Sequence, residues 1–218
     1  PLAAMPVMEG KAMLLHQFAG IDAWPLCLNT QDPEDIIRTV QAIAPTFGAI
    51  NLEDISAPRC FEIERRLQAE LDIPVMHDDQ HGTAVVILGA LMNALKIIRR
   101  PLQEIRVVII GLGAAGTACA ELLLGAGITH LKGCDKQGLV LDRPLKELLS
   151  YRHNLRALID YEHPTGTLQD ALRDAHVVIG LSTANVLTSE DLALMAHDPI
   201  VFALSNPDPE IAPEIAIP

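Results

Sequence analysis

The stretch IRVVIIGLGAAGTACAELLL, residues 105–124, decides the fold. Ile105 to Ile110 is an apolar, β-branched run of the kind a buried strand needs. Gly111, Gly113 and Gly116 then fit G-x-G-x-x-G, and an apolar helical run follows to about Leu124. Alone, these glycines make only a tight turn. With a strand leading in and a helix leading out, they favour a dinucleotide site. The N–H groups around Gly113, Ala114 and Ala115 at the helix start would face a pyrophosphate. Asp135 follows 19 residues after Gly116, at the end of the next expected strand, where it can accept bonds from a ribose hydroxyl. That favours NAD over NADP, although Lys136 beside it could receive a 2′-phosphate.

Upstream, the pattern alternates between helix and strand. Residues 9–19 read as a helix stopped by Gly20, and Trp24 to Leu28 as a strand. Asp32 and Pro33 start a helix that runs to about Ala44. Gly48–Leu52 and Ile73–His77 read as strands around a helix from Pro58 to Leu71. Residues 80–99 are apolar nearly all round, which predicts a buried helix. Downstream, strands are expected near 130–134, 176–180 and 200–204. The fold class is α/β: parallel sheets with flanking helices. A Rossmann-type domain over 78–218 follows part of a metal- and substrate-binding α/β lobe over 1–77, with the hinge near 77–83.

Two of the expected strands end in paired acids, Glu53-Asp54 and Asp78-Asp79. One helix separates the strands, so a right-handed crossover would bring both carboxyl ends to one edge. Four carboxylates there would repel one another, and a hard divalent cation, Mg²⁺ or Mn²⁺, is their natural partner. The alternative is two solvated loop ends. His77 and His81 have a zinc-like spacing but straddle a strand-to-helix turn, which disfavours zinc. Lys11, early in the first helix, reads by itself as a solvated lysine. Asn206, just past the last strand, reads as a turn residue that also lies on the ligand edge.

Composition narrows the function. With 16 Lys and Arg against 28 Asp and Glu, the net charge is −12, which suits neither a nucleic-acid backbone nor an anionic membrane. Cys27, Cys60, Cys119 and Cys134 form no C-x-x-C pair and read as buried thiols. No signal peptide and no uninterrupted apolar span is visible, so a cytoplasmic protein is expected. The chain opens at Pro1 without Met and stops at Pro218, so a piece of a longer protein is expected.

The segments PVMEGKA, FAGID, PTFGAINLEDISAPRCFEIE, IPVMHDDQHGTAVV, GLGAAG and FALSNPDPEI occur in that order over nearly the whole chain. Together they resemble the malic enzyme family, especially its compact bacterial type. The resemblance implies oxidative decarboxylation of L-malate to pyruvate and CO₂ with reduction of NAD or NADP. It implies Glu53, Asp54 and Asp79 as ligands of Mg²⁺ or Mn²⁺. Lys11 is implied as the general base, with Asp78 as the neighbour that interacts with it. Gly111, Gly113 and Gly116 would hold the pyrophosphate, and Asn206 would help seat substrate and nicotinamide. A homo-oligomer, dimer or larger, is expected. The family's tyrosine general acid and an arginine that grips substrate lie before PVMEGKA, so this stretch alone is expected to be inactive. Malolactic enzyme uses the same parts, and a non-catalytic nucleotide-binding module is the rival from another class. Retention of the metal acids and Lys11 speaks against the latter.

Overall fold

The structure, a computed structural model, describes residues 3–150 and 153–217. The first helix, α1 (Met5–Ala19), ends where Gly20 takes a left-handed conformation, φ 66°. Helix α2 (Pro33–Ile43) starts as its residues dictate. Asp32 is the N-cap, its carboxylate accepting from the N–H groups of Glu34 (2.9 Å) and Asp35 (3.0 Å), and Pro33 needs no partner in the first turn. Its buried stripe is Ile36, Ile37 and Val40. Strand β1 (Ile50–Leu52), helix α3 (Arg59–Glu70) and strand β2 (Val75–His77) follow, and β1 pairs with β2.

Two compact units result, one of Pro1–Ile50 with Glu62–Val75, the other of Asn51–Phe61 with Met76–Pro218. The sequence reading divides the chain at 77/78 instead. Asn51–Phe61 joins the larger unit through contacts that chain order does not reveal. The Asp54 N–H donates to Asp79, and Arg156 lies 5.5 Å from the centre of the Phe61 ring. In the smaller unit, Arg66 on α3 pairs with Glu34 on α2, and Gln41 bonds Glu70 at 2.5 Å.

The larger unit is built on a five-stranded sheet. After α4 (Asp78–Ile98) come β3 (Arg106–Ile110), α5 (Ala114–Gly125), β4 (His130–Asp135) and β5 (Gly138–Leu141). Then follow α6 (Leu145–Ser150), α7 (Leu168–Leu172), β6 (Val177–Gly180), α8 (Ser189–Ala193), β7 (Ile200–Ala203) and α9 (Pro213–Ala216). The strand order is β5-β4-β3-β6-β7. Strands β4, β3, β6 and β7 are parallel, and β5 is antiparallel at the edge. Alternation along β3 feeds two cores. Val107 and Ile109 pack with Leu91 of α4 and Leu123 of α5, while Val108 and Ile110 pack with Leu172 of α7 and Met195. Truncating fully buried Ile109 to Ala should cost about 2–5 kcal/mol.

Four points of the sequence reading need correcting. Trp24–Leu28 is irregular rather than a strand, and Trp24 is 74% exposed. Pro25 removes a ladder donor there. Strand β5 was not anticipated; it is a four-residue edge strand reached by a tight turn from β4. Helix α4 is not buried all round. Ala84, Ile87, Leu91 and Leu95 form its buried stripe, whereas Val86 is 71% and Ile97 83% exposed. Among the described residues it also has the length and apolarity to cross a membrane, contrary to the expectation that no such stretch exists. Its buried stripe lies in the core with the sheet and α5, as in the core helix of a folded domain.

Candidate active site

Because β3, β4, β6 and β7 are parallel, their carboxyl ends share one edge of the sheet, where open α/β folds bind ligands. Four loops leave that edge: Gly111–Gly113 after β3, the Asp135 turn after β4, Leu181-Ser182 after β6, and Leu204–Asn206 after β7.

The glycine loop is held tightly. Gly111 has φ 95°, and a Cβ there would stand 2.8 Å from the Leu181 carbonyl carbon. A Cβ on Gly116 would stand 2.9 Å from the Gly111 carbonyl carbon, so only glycine lets α5 begin this close to β3. A Cβ on Gly113 would meet nothing, which leaves the loop backbone open on that side. The Gly111 N–H bonds the Cys134 carbonyl at 2.8 Å. The Leu112 carbonyl accepts from the Tyr161 hydroxyl at 2.9 Å and the Thr117 hydroxyl at 3.2 Å. Tyr161 thus fastens the glycine loop. No sequence signal marks this role, since 49 residues separate it from Leu112.

The acids come together within the same unit. Ligating oxygens of Glu53, Asp54 and Asp79 all lie within 4.8 Å of one another. Asp54 adopts a left-handed conformation, φ 57°, and its N–H donates to Asp79 Oδ2 at 2.9 Å. The same oxygen lies 3.2 Å from Nε2 of fully buried His77, whose Nδ1 is 3.0 Å from the Gln80 side-chain nitrogen. Asp78 and Asp79 open α4, where the helix N-terminus favours carboxylates. The Asp78 carboxyl carbon would stand 3.3 Å from a Cβ on Gly82, so that glycine makes room for it. Three carboxylates with oxygens this close form a hard, all-oxygen donor set that fits Mg²⁺ or Mn²⁺. Neither His77 nor His81 belongs to a group able to share one ion among the described residues.

Asp78 and Asp79 share with the start of α5 one cleft of about 690 Å³, within the usual range for a small-molecule site; Glu53 and Asp54 are not among its lining residues. Asp78, Asp79 and Thr83 line one part, Ala114 and Ala115 another, and Ser182 and Ser205 a third. Asp135 stands at the end of β4, its Oδ1 accepting from the Gln137 N–H at 2.7 Å, and does not line this cleft. Asn206 is exposed in the turn after β7, next to Ser205, and is also outside the lining. Lys11 lies half-buried in the middle of α1, in the smaller unit.

Glu210 is a residue that sequence reasoning missed. It is fully buried, and its carboxylate accepts from the Ser182 N–H at 2.8 Å and the Ser205 N–H at 3.1 Å. It thus ties together two of the loops that line the cleft. A Cβ on Gly180 would stand 2.7 Å from Glu210 Cγ, so a glycine at the end of β6 admits it. Its place in the FALSNPDPEI motif was the available signal.

The chain matches two family models, "malic enzyme, N-terminal domain" over residues 2–68 and "malic enzyme, NAD binding domain" over 80–215. An NAD-dependent malic enzyme of Geobacillus stearothermophilus is 56% identical over 100% of the chain and 45% of that protein. A bifunctional malic/malolactic enzyme of Bacillus subtilis is 47% identical over 99% of the chain and 53% of that protein. The crystal structure of an NAD-dependent malic enzyme from Thermotoga maritima superposes with a TM-score of 0.88 at 44% identity, over 99% of this chain and 58% of that one. The chain therefore spans about half the length of the curated relatives it matches. A family model covering more than half of the chain, on a fold that joins a glycine loop to a triad of acids, makes this chain a member of the malic enzyme family.

Proposed function

We propose that this chain carries the metal- and nucleotide-binding part of an enzyme that oxidises and decarboxylates L-malate to pyruvate and CO₂ with reduction of NAD or NADP. The observation that carries the reading is the single cleft lined both by Asp78 and Asp79 and by Ala114 and Ala115 of the dinucleotide loop. Glu53, Asp54 and Asp79 would hold Mg²⁺ or Mn²⁺, which supplies Lewis acidity to the substrate's oxygens and to the negative charge left when CO₂ departs. The N–H groups at the start of α5 would hold the cofactor pyrophosphate, and Asp135 at the end of β4 would take the adenosine ribose. NAD or NADP held there would supply the hydride acceptor for oxidation at malate C2.

Lys11 has the role of removing the proton from the malate hydroxyl. A lysine that does this near neutral pH needs its own pKa lowered or its proton relayed. Asp78 is proposed as a further catalytic residue, and Asn206 would help seat substrate and nicotinamide. Oligomers of dimer size or larger and a cytoplasmic location belong to the same reading.

The relative named bifunctional malic/malolactic enzyme supports a second outcome, conversion of malate to lactate without net change in the cofactor. One assay tests both. The native protein, given L-malate, Mn²⁺ and NAD or NADP, is expected to reduce the cofactor and release pyruvate. Lactate without net cofactor reduction would establish the second outcome instead, and no malate-dependent product would overturn both.

A further inference from the structure

A second cleft, of about 430 Å³, lies at the other edge of the same sheet. Arg106, the first residue of β3, pairs in register with His130, the first of β4, and both line it. It sits about a strand length, roughly 13 Å, from the glycine loop. Its charge runs against that of the chain. Of 16 Lys and Arg in the sequence, Arg106, Lys132, Arg143 and Arg173 line this one cleft. Of 28 acids, Asp142 alone does. In a protein of net charge −12, local density of one sign at this level needs a cause.

Neighbouring acids leave the excess in place. Asp142 lies 3.6 Å from Lys132 and offsets one cation. Asp170 closes the N-terminal capping box of α7, where its carboxylate accepts from the Thr167 N–H and hydroxyl. Arg106 Nε donates to the backbone carbonyl of Asp174 at 2.7 Å, which fixes the guanidinium without neutralising it. The charges of Arg173 and Lys132 act on Asp170 from nearby, after its bonds to Thr167, but the side chains of Arg143 and Arg173 are exposed and make no hydrogen bond or ion pair among the described residues. Beneath the cations, buried Val108, Leu131 and Ala175 give the cleft an apolar floor.

We propose that this cleft binds a small organic anion carrying two or more negative charges, at a site separate from the cofactor cleft. Guanidinium groups, of which Arg106 is held in place, match carboxylate or phosphate oxygens in pairs, and the apolar floor accepts the ligand's body. The volume is that of a small-molecule pocket and excludes a folded partner.

The test is calorimetric titration of the native protein in metal-free buffer with two probes, tripolyphosphate and citrate, which separate phosphate from carboxylate chemistry. At least one probe is expected to bind once per chain, with affinity that falls as salt rises. Saturating NADH should leave that binding unchanged. The double variant Arg143→Glu, Arg173→Glu should weaken it at least tenfold. Arg38→Glu with Lys96→Glu, an equal charge change away from the cleft, should weaken it less than threefold. Both substituted arginines are exposed, and Arg173→Ala alone should already weaken binding if the double variant misfolds. Failure of both probes to bind would overturn the proposal, as would binding that NADH abolishes or that survives the charge reversal. Loss of thermal stability in the double variant without probe binding would point to an acidic segment of the protein itself in the cleft, and would also overturn it.

Discussion

Replacing Glu210 with Gln removes one acceptor from a fully buried junction while changing its volume little. In the native arrangement two backbone N–H groups, of Ser182 and Ser205, point at the two oxygens from 2.8 and 3.1 Å. Glutamine offers one oxygen and one NH₂, so one of these N–H groups must face another donor. A buried donor left without a partner costs about 1–3 kcal/mol, and the remaining bond loses its charge assistance, so the total should be roughly 2–4 kcal/mol. The approach of Gly180 to the side chain leaves little room to relax. Both freed loops line the cofactor cleft, so KM for cofactor and malate should rise together with the loss of stability. Urea unfolding of the wild-type and Glu210→Gln proteins, with steady-state kinetics of each, measures both effects. A change in unfolding free energy below about 0.5 kcal/mol, with KM unaltered, would refute the role assigned to this carboxylate.

Other expectations follow from single contacts. Gly116→Ala forces a methyl group against the Gly111 carbonyl, an overpacking that costs about 1–3 kcal/mol. NADH affinity measured by calorimetry should fall at least tenfold, and unchanged affinity would argue against the glycine loop as the pyrophosphate site. His176 accepts the Arg106 N–H at Nδ1 (2.9 Å), and burial, followed by the charges of Arg100 and Arg106, lowers its pKa from 6.5. The folded state thus resists protonation more than the unfolded one. The stability from neutral His176 is fully present above 6.5 and is lost as pH falls below it. Unfolding between pH 7 and 5.5 should show this loss, and His176→Asn, which keeps an acceptor but cannot titrate, should flatten it; an equal slope in the variant would refute it. Burial pushes the Cys119 and Cys134 thiols up to about 12. Neither should react with iodoacetamide at pH 8 until the protein unfolds, as peptide mass analysis would record.

The parts legible in the sequence were those whose signal is local. Ile105–Gly116 carries its strand, turn and helix start in consecutive residues, and Asp32-Pro33 announces α2 by the chemistry of the helix N-terminus. The acid pairs were legible because each follows directly on an apolar strand. What escaped depends on partners distant in the chain. Glu210 bonds residues 28 and 5 positions away, and Tyr161 reaches back to Leu112. The exposed side of α4 escaped for a related reason: an apolar residue does not state what covers it. Strand β5 escaped because four residues carry too little periodicity to separate an edge strand from a loop.

Glu53, Asp54 and Asp79 are proposed to form a divalent-cation site in the same unit as the dinucleotide loop. Titrating the native protein with Mn²⁺ while following the electron paramagnetic resonance signal of the free aqueous ion measures that binding apart from catalysis. One site per chain is expected, weakened at least tenfold by Asp79→Asn and likewise by Glu53→Gln. One site per chain with the same affinity in both variants would contradict it.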